Sequence, residues 1–198
     1  MEKKSFETVL HELEKLWTDQ NAPILPTLNP GGTDSLLKLF SKFSLPEHLL
    51  QLYGWHNGTS LDLPIFTLGF FVSIERMAEI YNYMAGEDEF WKLSMVPIFE
   101  SRAGEFYLID CDERSEKYGT ILKYYPGSVD FKVIIDIYDS LESLFKTILE
   151  CFQQEAYSYE PDPFLLVLDF QLSFKIAIRN NPKSTYWNQI FDLPLDID

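Results

Sequence analysis

The sequence predicts an α+β fold with a mainly antiparallel sheet of about five to six strands. Three observations lead there. An apolar stripe at helical spacing opens the chain, four short apolar runs follow one another between Met95 and Tyr138, and two further helical stripes follow them. The 198 residues, with 46% hydrophobic and 16% aromatic content, suffice for one domain with a full core, spanning 1–198. The expected centre of that domain is about 34–152. A helix over 5–19 and a helical extension over 164–198 pack on it.

The first helix has Ser5 as its cap and Phe6, Val9, Leu10, Leu13, Leu16 and Trp17 as its apolar stripe. The stretch 21–32, NAPILPTLNPGG, reads as a loop because of its three prolines and paired glycines. Asp34 is placed to cap a short helix, SLLKLFSKF. Next comes LPEHLLQLYGWHNGTS over 45–60, the stretch around which the chain is organised. Ser44 to Glu47 has the form of a capping box, and Pro46 suits a first helical turn. Leu45, Leu49, Leu52 and Tyr53 share one face, and Asn57-Gly58 suits a helix stop. Trp55 is expected to be mostly buried, with an exposed hot spot as the alternative.

The run 66–72 reads as one buried strand, with Gly69 marking a bulge or a close approach of backbone. Ser73 can cap the helix IERMAEIYNYM, which faces Ile74, Met77, Ala78, Tyr81 and Met84 inward and ends in the acidic turn 86–89. Four strands follow, MVPIFES, EFYLIDCD, GTILKYYP and FKVIIDIY, with hairpin turns at Arg102-Ala103-Gly104 and Pro126-Gly127-Ser128. The link from Glu113 to Tyr118 should be exposed. A second capping box over 139–142 opens the clearest helix, which buries Leu141, Leu144, Phe145, Ile148, Leu149 and Phe152 and should lie across the sheet. The stretch 157–163, YSYEPDP, reads as a loop. Asp169 caps a last helix with Phe170, Phe174, Ala177 and Ile178 inward, stopped by Asn180-Asn181-Pro182. Tyr186, Trp187, Ile190 and Phe191 should anchor the tail.

Sixteen basic residues against thirty-one acidic give a net charge of −15. Such a surface repels nucleic acid and anionic membranes and draws basic partners. Single-strand binding on aromatic platforms needs cations along the groove, so nucleic acid is excluded as a partner. No apolar run is long enough to span a bilayer, and the first residues lack the apolar core of a secretory signal. Cys111 and Cys151 fit no ligand spacing and read as free thiols, which suits a reducing cytoplasm.

Catalytic motifs are missing from the sequence. His11-Glu12 does not continue into a metalloprotease motif, and His48 and His56 are two helical turns apart. All three histidines read as structural or surface residues. Neither a nucleophile elbow nor a phosphate-binding loop occurs. The one carboxylate cluster of chemical interest is Asp110 to Glu113. An Asp-x-Asp at a strand end can hold a divalent cation, but no third ligand stands at useful spacing. The expectation is that Asp110 bonds a backbone turn while Asp112 and Glu113 are solvated. No metal and no cofactor are expected.

The motif around 45–58, LP-E-x-L-x-x-x-Y-x-x-x-NG, together with the step GFFVSIERM, the pair VPIFES and FYLIDCD, Gly119, and DIYDSLESLF, resembles the SUKH superfamily. That superfamily includes fungal cell-wall-synthesis regulators and bacterial toxin-immunity proteins. The likeness runs from about Leu45 to Trp187, where NP-x-x-x-YW is similar to bacterial members with an extended C-terminus. It departs at Arg102-Ala103-Gly104, where many relatives carry a richer glycine turn. The resemblance implies a SUKH-like fold and a protein-binding module without catalysis, foremost an immunity protein that neutralises a basic toxin such as a nuclease. The alternatives are a cytoplasmic adaptor related to the fungal regulators, and an enzyme using Asp110 to Glu113.

Two acidic surfaces are candidates for the partner. One gathers Glu142, Glu150, Glu155, Glu160 and Asp162 around Tyr157 and Tyr159, in a segment of eight acidic residues against the single basic Lys146. It places Glu142 and Glu150 outward and the tyrosines as exposed anchors. The rival combines Glu87, Asp88 and Glu89 with Asp112, Glu113 and Glu116, if the fold brings those loops together. Solvated surface is the plain alternative for both. Oligomeric state is not readable from the sequence.

Overall fold

The computed structural model describes residues 5–60, 63–66, 69–88, 91–126, 134–160 and 166–190. Its helices are α1 (Phe6–Asp19), α2 (Asp34–Leu39), α3 (Glu47–Trp55), α4 (Ile74–Glu87), α5 (Leu141–Gln153), α6 (Phe170–Asn180) and α7 (Thr185–Ile190). A five-stranded antiparallel sheet runs β3 (Phe70–Phe71), β4 (Met95–Glu100), β5 (Phe106–Asp110), β6 (Ile121–Tyr124), β7 (Ile134–Tyr138), in that spatial order. Two small antiparallel pairs flank it. They are β1 (Leu28–Pro30) with β2 (His56–Thr59), and β8 (Tyr157–Tyr159) with β9 (Leu166–Leu168). The α+β expectation and its antiparallel sheet hold.

Alternation along β5 and β6 sends Tyr107 and Lys123 to one face of the sheet and Phe106 and Tyr124 to the other. On the first face Tyr107 meets Phe66 and Phe99, and Phe99 meets Phe145 of α5, with ring centroids 5.1, 6.4 and 6.3 Å apart. Helix α1 joins this layer through Phe6 on Phe145 and Trp17 on Phe152. On the second face Tyr124 meets Trp91 and donates its hydroxyl to Asp88, just beyond α4. The sheet is therefore covered on both sides.

Local chemistry explains most helix starts. The side chains of Ser5, Ser73 and Asp169 accept from the third residue on, as expected. Two starts differ. Helix α3 begins at Glu47 with Pro46 as its cap and no side-chain cap bond. The Ser44 carbonyl instead accepts from the Tyr118 hydroxyl at 3.1 Å. Helix α5 is capped one residue later than expected, by a reciprocal Ser140–Ser143 box. Asp139 is taken by long-range partners: Asn181 accepts from its N–H and the Lys183 N–H bonds its carboxylate. Asp34 lies in the first turn of α2, and Thr33 occupies the cap position without a side-chain bond.

Three stretches read as irregular or differently from the sequence. Part of 21–32 forms a 3-10 turn, Leu25–Thr27, and then β1, because β2 offers it a pairing edge. Tyr157–Tyr159 is a strand, since Leu166–Leu168 pairs with it. The run 66–72 is not one strand: Phe66 and Gly69 form an isolated bridge ahead of the two-residue β3. Gly69 does mark a close approach, as a Cβ there would lie 2.2 Å from the Phe66 ring. In α4 Ile80 is fully inward, while Ala78 and Tyr81 are half-buried. In α6 Ala177 is buried as expected and Phe174 and Ile178 are half-buried, but Phe170, expected inward, is 58% exposed, and Ser173 and Ile176 are buried in addition. Trp187 anchors α7 against Tyr138 and Phe174. The turn at 127–128 and Phe191 lie outside the described residues.

Candidate binding site

The organising stretch 45–60 does its structural work at the start of α4. Asn57-Gly58 does not stop α3, which ends at Trp55 and passes directly into β2. Gly58 has φ +72°, and a Cβ there would meet the Ser73 nitrogen at 2.4 Å. Only glycine permits both that conformation and that approach. The approach lets the Asn57 Oδ1 accept from the Ile74 N–H at 2.7 Å, beside the Ser73 cap on the Arg76 N–H. From below, the Tyr53 hydroxyl donates to the Val72 carbonyl at 2.9 Å. The first turn of α4 is thus held from β2, α3 and its own cap.

So fixed, α4 buries Ile74, Met77, Ile80 and Met84 and turns Arg76, Glu79, Tyr83 and Glu87 outward. Steps of three, four and four residues put those four on one stripe. The stripe forms one wall of an open cleft of about 700 Å3, whose other lining includes Gly104 at the β4–β5 turn, Phe106 and Pro126. Arg76 spans its edge. Its Nε and Nη2 donate to the two Glu100 carboxylate oxygens at 3.0 and 2.9 Å, and its Nη1 donates to Glu79 at 3.1 Å. These bonds hold the Arg76 guanidinium above its ordinary pKa. Among the described residues lining the cleft, Arg76 is the one cation against Glu79, Glu87 and Asp88. Asp88 is anchored by Tyr124, whose phenol is pushed up by burial and by that carboxylate. Tyr83 is 68% exposed.

Residues 37–147 match the family model described as the SMI1/KNR4 family (SUKH-1), more than half of the chain. The chain belongs to the SMI1/KNR4 family. The matched segment begins within α2 and ends within α5, so it contains the five-stranded sheet, α3 and all of α4. Helices α1, α6 and α7 of this SUKH-1 chain lie outside the match. No curated protein matches the chain. No helix among the described residues is long and apolar enough to cross a membrane.

The sequence-derived surfaces of this SUKH-1 protein are placed very differently from one another. Glu87 and Asp88 line the α4 cleft; Glu89 lies outside the described residues. Asp112 and Glu113 line a separate cleft of about 470 Å3 with Lys42, Lys92 and Arg114, and Glu116 is exposed nearby in sequence. Bonds from Arg114 hold the Asp112 carboxyl below its usual range. The two groups do not converge, because Phe106 opens β5 at one cleft and Asp110 closes it beside the other.

The surface built on Tyr157 and Tyr159 needs correction. Tyr157 is buried, and Tyr159 is half-buried with its hydroxyl donating to the Pro64 carbonyl at 2.9 Å, so neither is an exposed anchor. Nor does Glu150 point free into solvent. It pairs with Arg179 and accepts from Asn180 at 3.0 Å and Gln154 at 2.8 Å, because α6 packs across it. Glu142 lies along its own helix against Lys146, one turn on. Glu155 and Glu160 are exposed, and Asp162 lies outside the described residues.

The Asp110 carboxylate accepts from the Asp112 N–H at 2.9 Å and closes its own turn, the structural role expected of it. Among the described residues, no group of three or more His, Cys, Asp or Glu side chains is placed to hold a metal. Cys111 and Cys151 are buried free thiols. Burial pushes both up to about 12, which removes the thiolate a nucleophile would need at neutral pH. Trp55 is half-buried: it stacks on Trp17, and its Nε1 donates to Glu14 at 2.8 Å. His11 is exposed. His48 packs on Phe6, and His56 bonds the Asn29 carbonyl at 3.1 Å.

Sequence reasoning passed over Arg76, Glu79 and Tyr83. The signal was the polar stripe 76, 79, 83, 87, the complement of the apolar stripe used to place the helix.

Proposed function

We propose that this SUKH-1 chain is a non-catalytic cytoplasmic binding module for a basic protein, acting as an immunity protein that neutralises a bacterial toxin such as a nuclease. The observation that carries this reading is the α4 cleft, with Glu79, Glu87 and the exposed Tyr83 on one helix stripe, in a chain of net charge −15. Toxins that grip phosphates have basic active sites, and an acidic surface gains fast association with them through long-range attraction. Blocking such a site needs shape, charge and an aromatic anchor, and no reacting group.

Affinity capture with the full chain from its native cell tests the reading. The expected result is a stoichiometric basic partner, released as salt rises and lost when Glu79 and Glu87 are changed to Lys. An acidic partner, or one whose retention ignores both salt and the charge reversal, would contradict it. A basic partner without toxic activity would favour the adaptor role instead.

A further inference from the structure

We propose that the α4 cleft receives an arginine side chain of the partner, an inference that rests on reading the chain as a binder of basic proteins. Three features of the cleft match a guanidinium on a flexible stem. The half-buried Phe106 and Pro126 give it apolar surface, over a floor of the buried Ile80 and Met84, against which the methylenes of an arginine can lie. Tyr83 stands one helical turn before Glu87 and offers an exposed ring on which a planar cation stacks. Glu87 is exposed, and among the described residues no hydrogen bond or ion pair holds it, so its carboxylate is available for a forked pair.

The other charges of the cleft are already held by partners of their own. Arg76 is tied to both oxygens of Glu100 and to one of Glu79, so the protein's own guanidinium is held at the edge. Asp88 is fixed by Tyr124 and adds a stationary negative charge. A lysine could satisfy the charge alone. It lacks the flat face for Tyr83 and the fork for Glu87, so arginine is the better fit. A volume of about 700 Å3 also leaves room for the backbone that carries the side chain.

The test uses the full isotope-labelled chain and a blocked hexapeptide containing two arginines spaced by glycine, with a lysine twin as comparison. The arginine peptide should shift the backbone amides of 76–88 and 104–106, and the lysine twin should bind about threefold more weakly. Tyr83→Ala and Glu87→Gln should each weaken the arginine peptide about three- to fivefold. Both positions are exposed, and an unchanged circular dichroism spectrum would establish that the variants fold. Shifts spread evenly over the acidic surface, equal binding of the twin, or wild-type affinity in both variants would overturn the inference. If a basic partner is still captured while the peptide leaves the cleft unmoved, the arginine docking fails and the binding reading stands. If no basic partner is captured, it is the underlying reading that fails.

Discussion

Tyr53→Ala is expected to destabilise the protein by about 3–5 kcal/mol, measured as a lowered midpoint of urea unfolding. Tyr53 is completely buried, and its ring packs 5.1 Å from that of Phe71. Its hydroxyl is the donor that satisfies the Val72 carbonyl at the entry to α4. Truncation opens a large cavity and orphans that carbonyl, so two penalties add. Tyr53→Phe separates them: it keeps the ring and should cost only about 1 kcal/mol. Domains of this kind are stable by roughly 5–15 kcal/mol, so the alanine variant should lose a large fraction of its total stability. A midpoint within error of wild type would mean that this motif does not anchor α4, and the argument for a positioned cleft would fall with it.

Asn181→Ala is expected to cost about 2–4 kcal/mol. Asn181 is fully buried, yet each polar group of its side chain is engaged. Its Nδ2 donates to Thr147 of α5 at 3.1 Å and to the Ala177 carbonyl at 2.9 Å, while its Oδ1 accepts from the Asp139 N–H at 3.1 Å. One side chain therefore joins the end of α6, the body of α5 and the exit of β7. Nearby, the Ser184 hydroxyl donates to the Asp136 carbonyl at 3.0 Å on the outer edge of β7. The prediction is loss of global stability with faster hydrogen exchange concentrated in α6 and α7. Uniform protection in the variant would show that these helices are held by apolar packing alone.

The places where sequence reasoning succeeded and failed have a common physical basis. Ser5, Ser73 and Asp169 cap helices through bonds spanning three residues, and such bonds are visible locally. The stripes of α1 and α5 and the alternating runs of the sheet are local as well. The failures are long-range. Ser140 caps α5 because Asp139 is taken by Asn181 and Lys183, more than forty residues away. Tyr159 is no exposed anchor because it reaches the Pro64 carbonyl, ninety-five positions distant. Glu150 is drawn off by α6, and β1 exists only because β2 lies beside it. Tyrosine and glutamate are ambiguous in sequence, since either can complete a buried contact or stand in water. The acidic residues at 87 and 88 stand out in the sequence as a local acidic turn at the end of the helix. Their companions Glu79 and Tyr83 required reading the polar side of α4 with the same periodicity as its apolar side.

The reading of this SUKH-1 chain as a stoichiometric neutraliser is tested most directly by titrating it into its isolated basic partner while the partner's own toxic activity is followed. The account predicts a linear fall that ends at one equivalent, with no further turnover on longer incubation and a right-shifted end point for the Glu79→Lys, Glu87→Lys variant. Activity that survives a large excess of the chain, or that is abolished by catalytic amounts of it, would contradict the account.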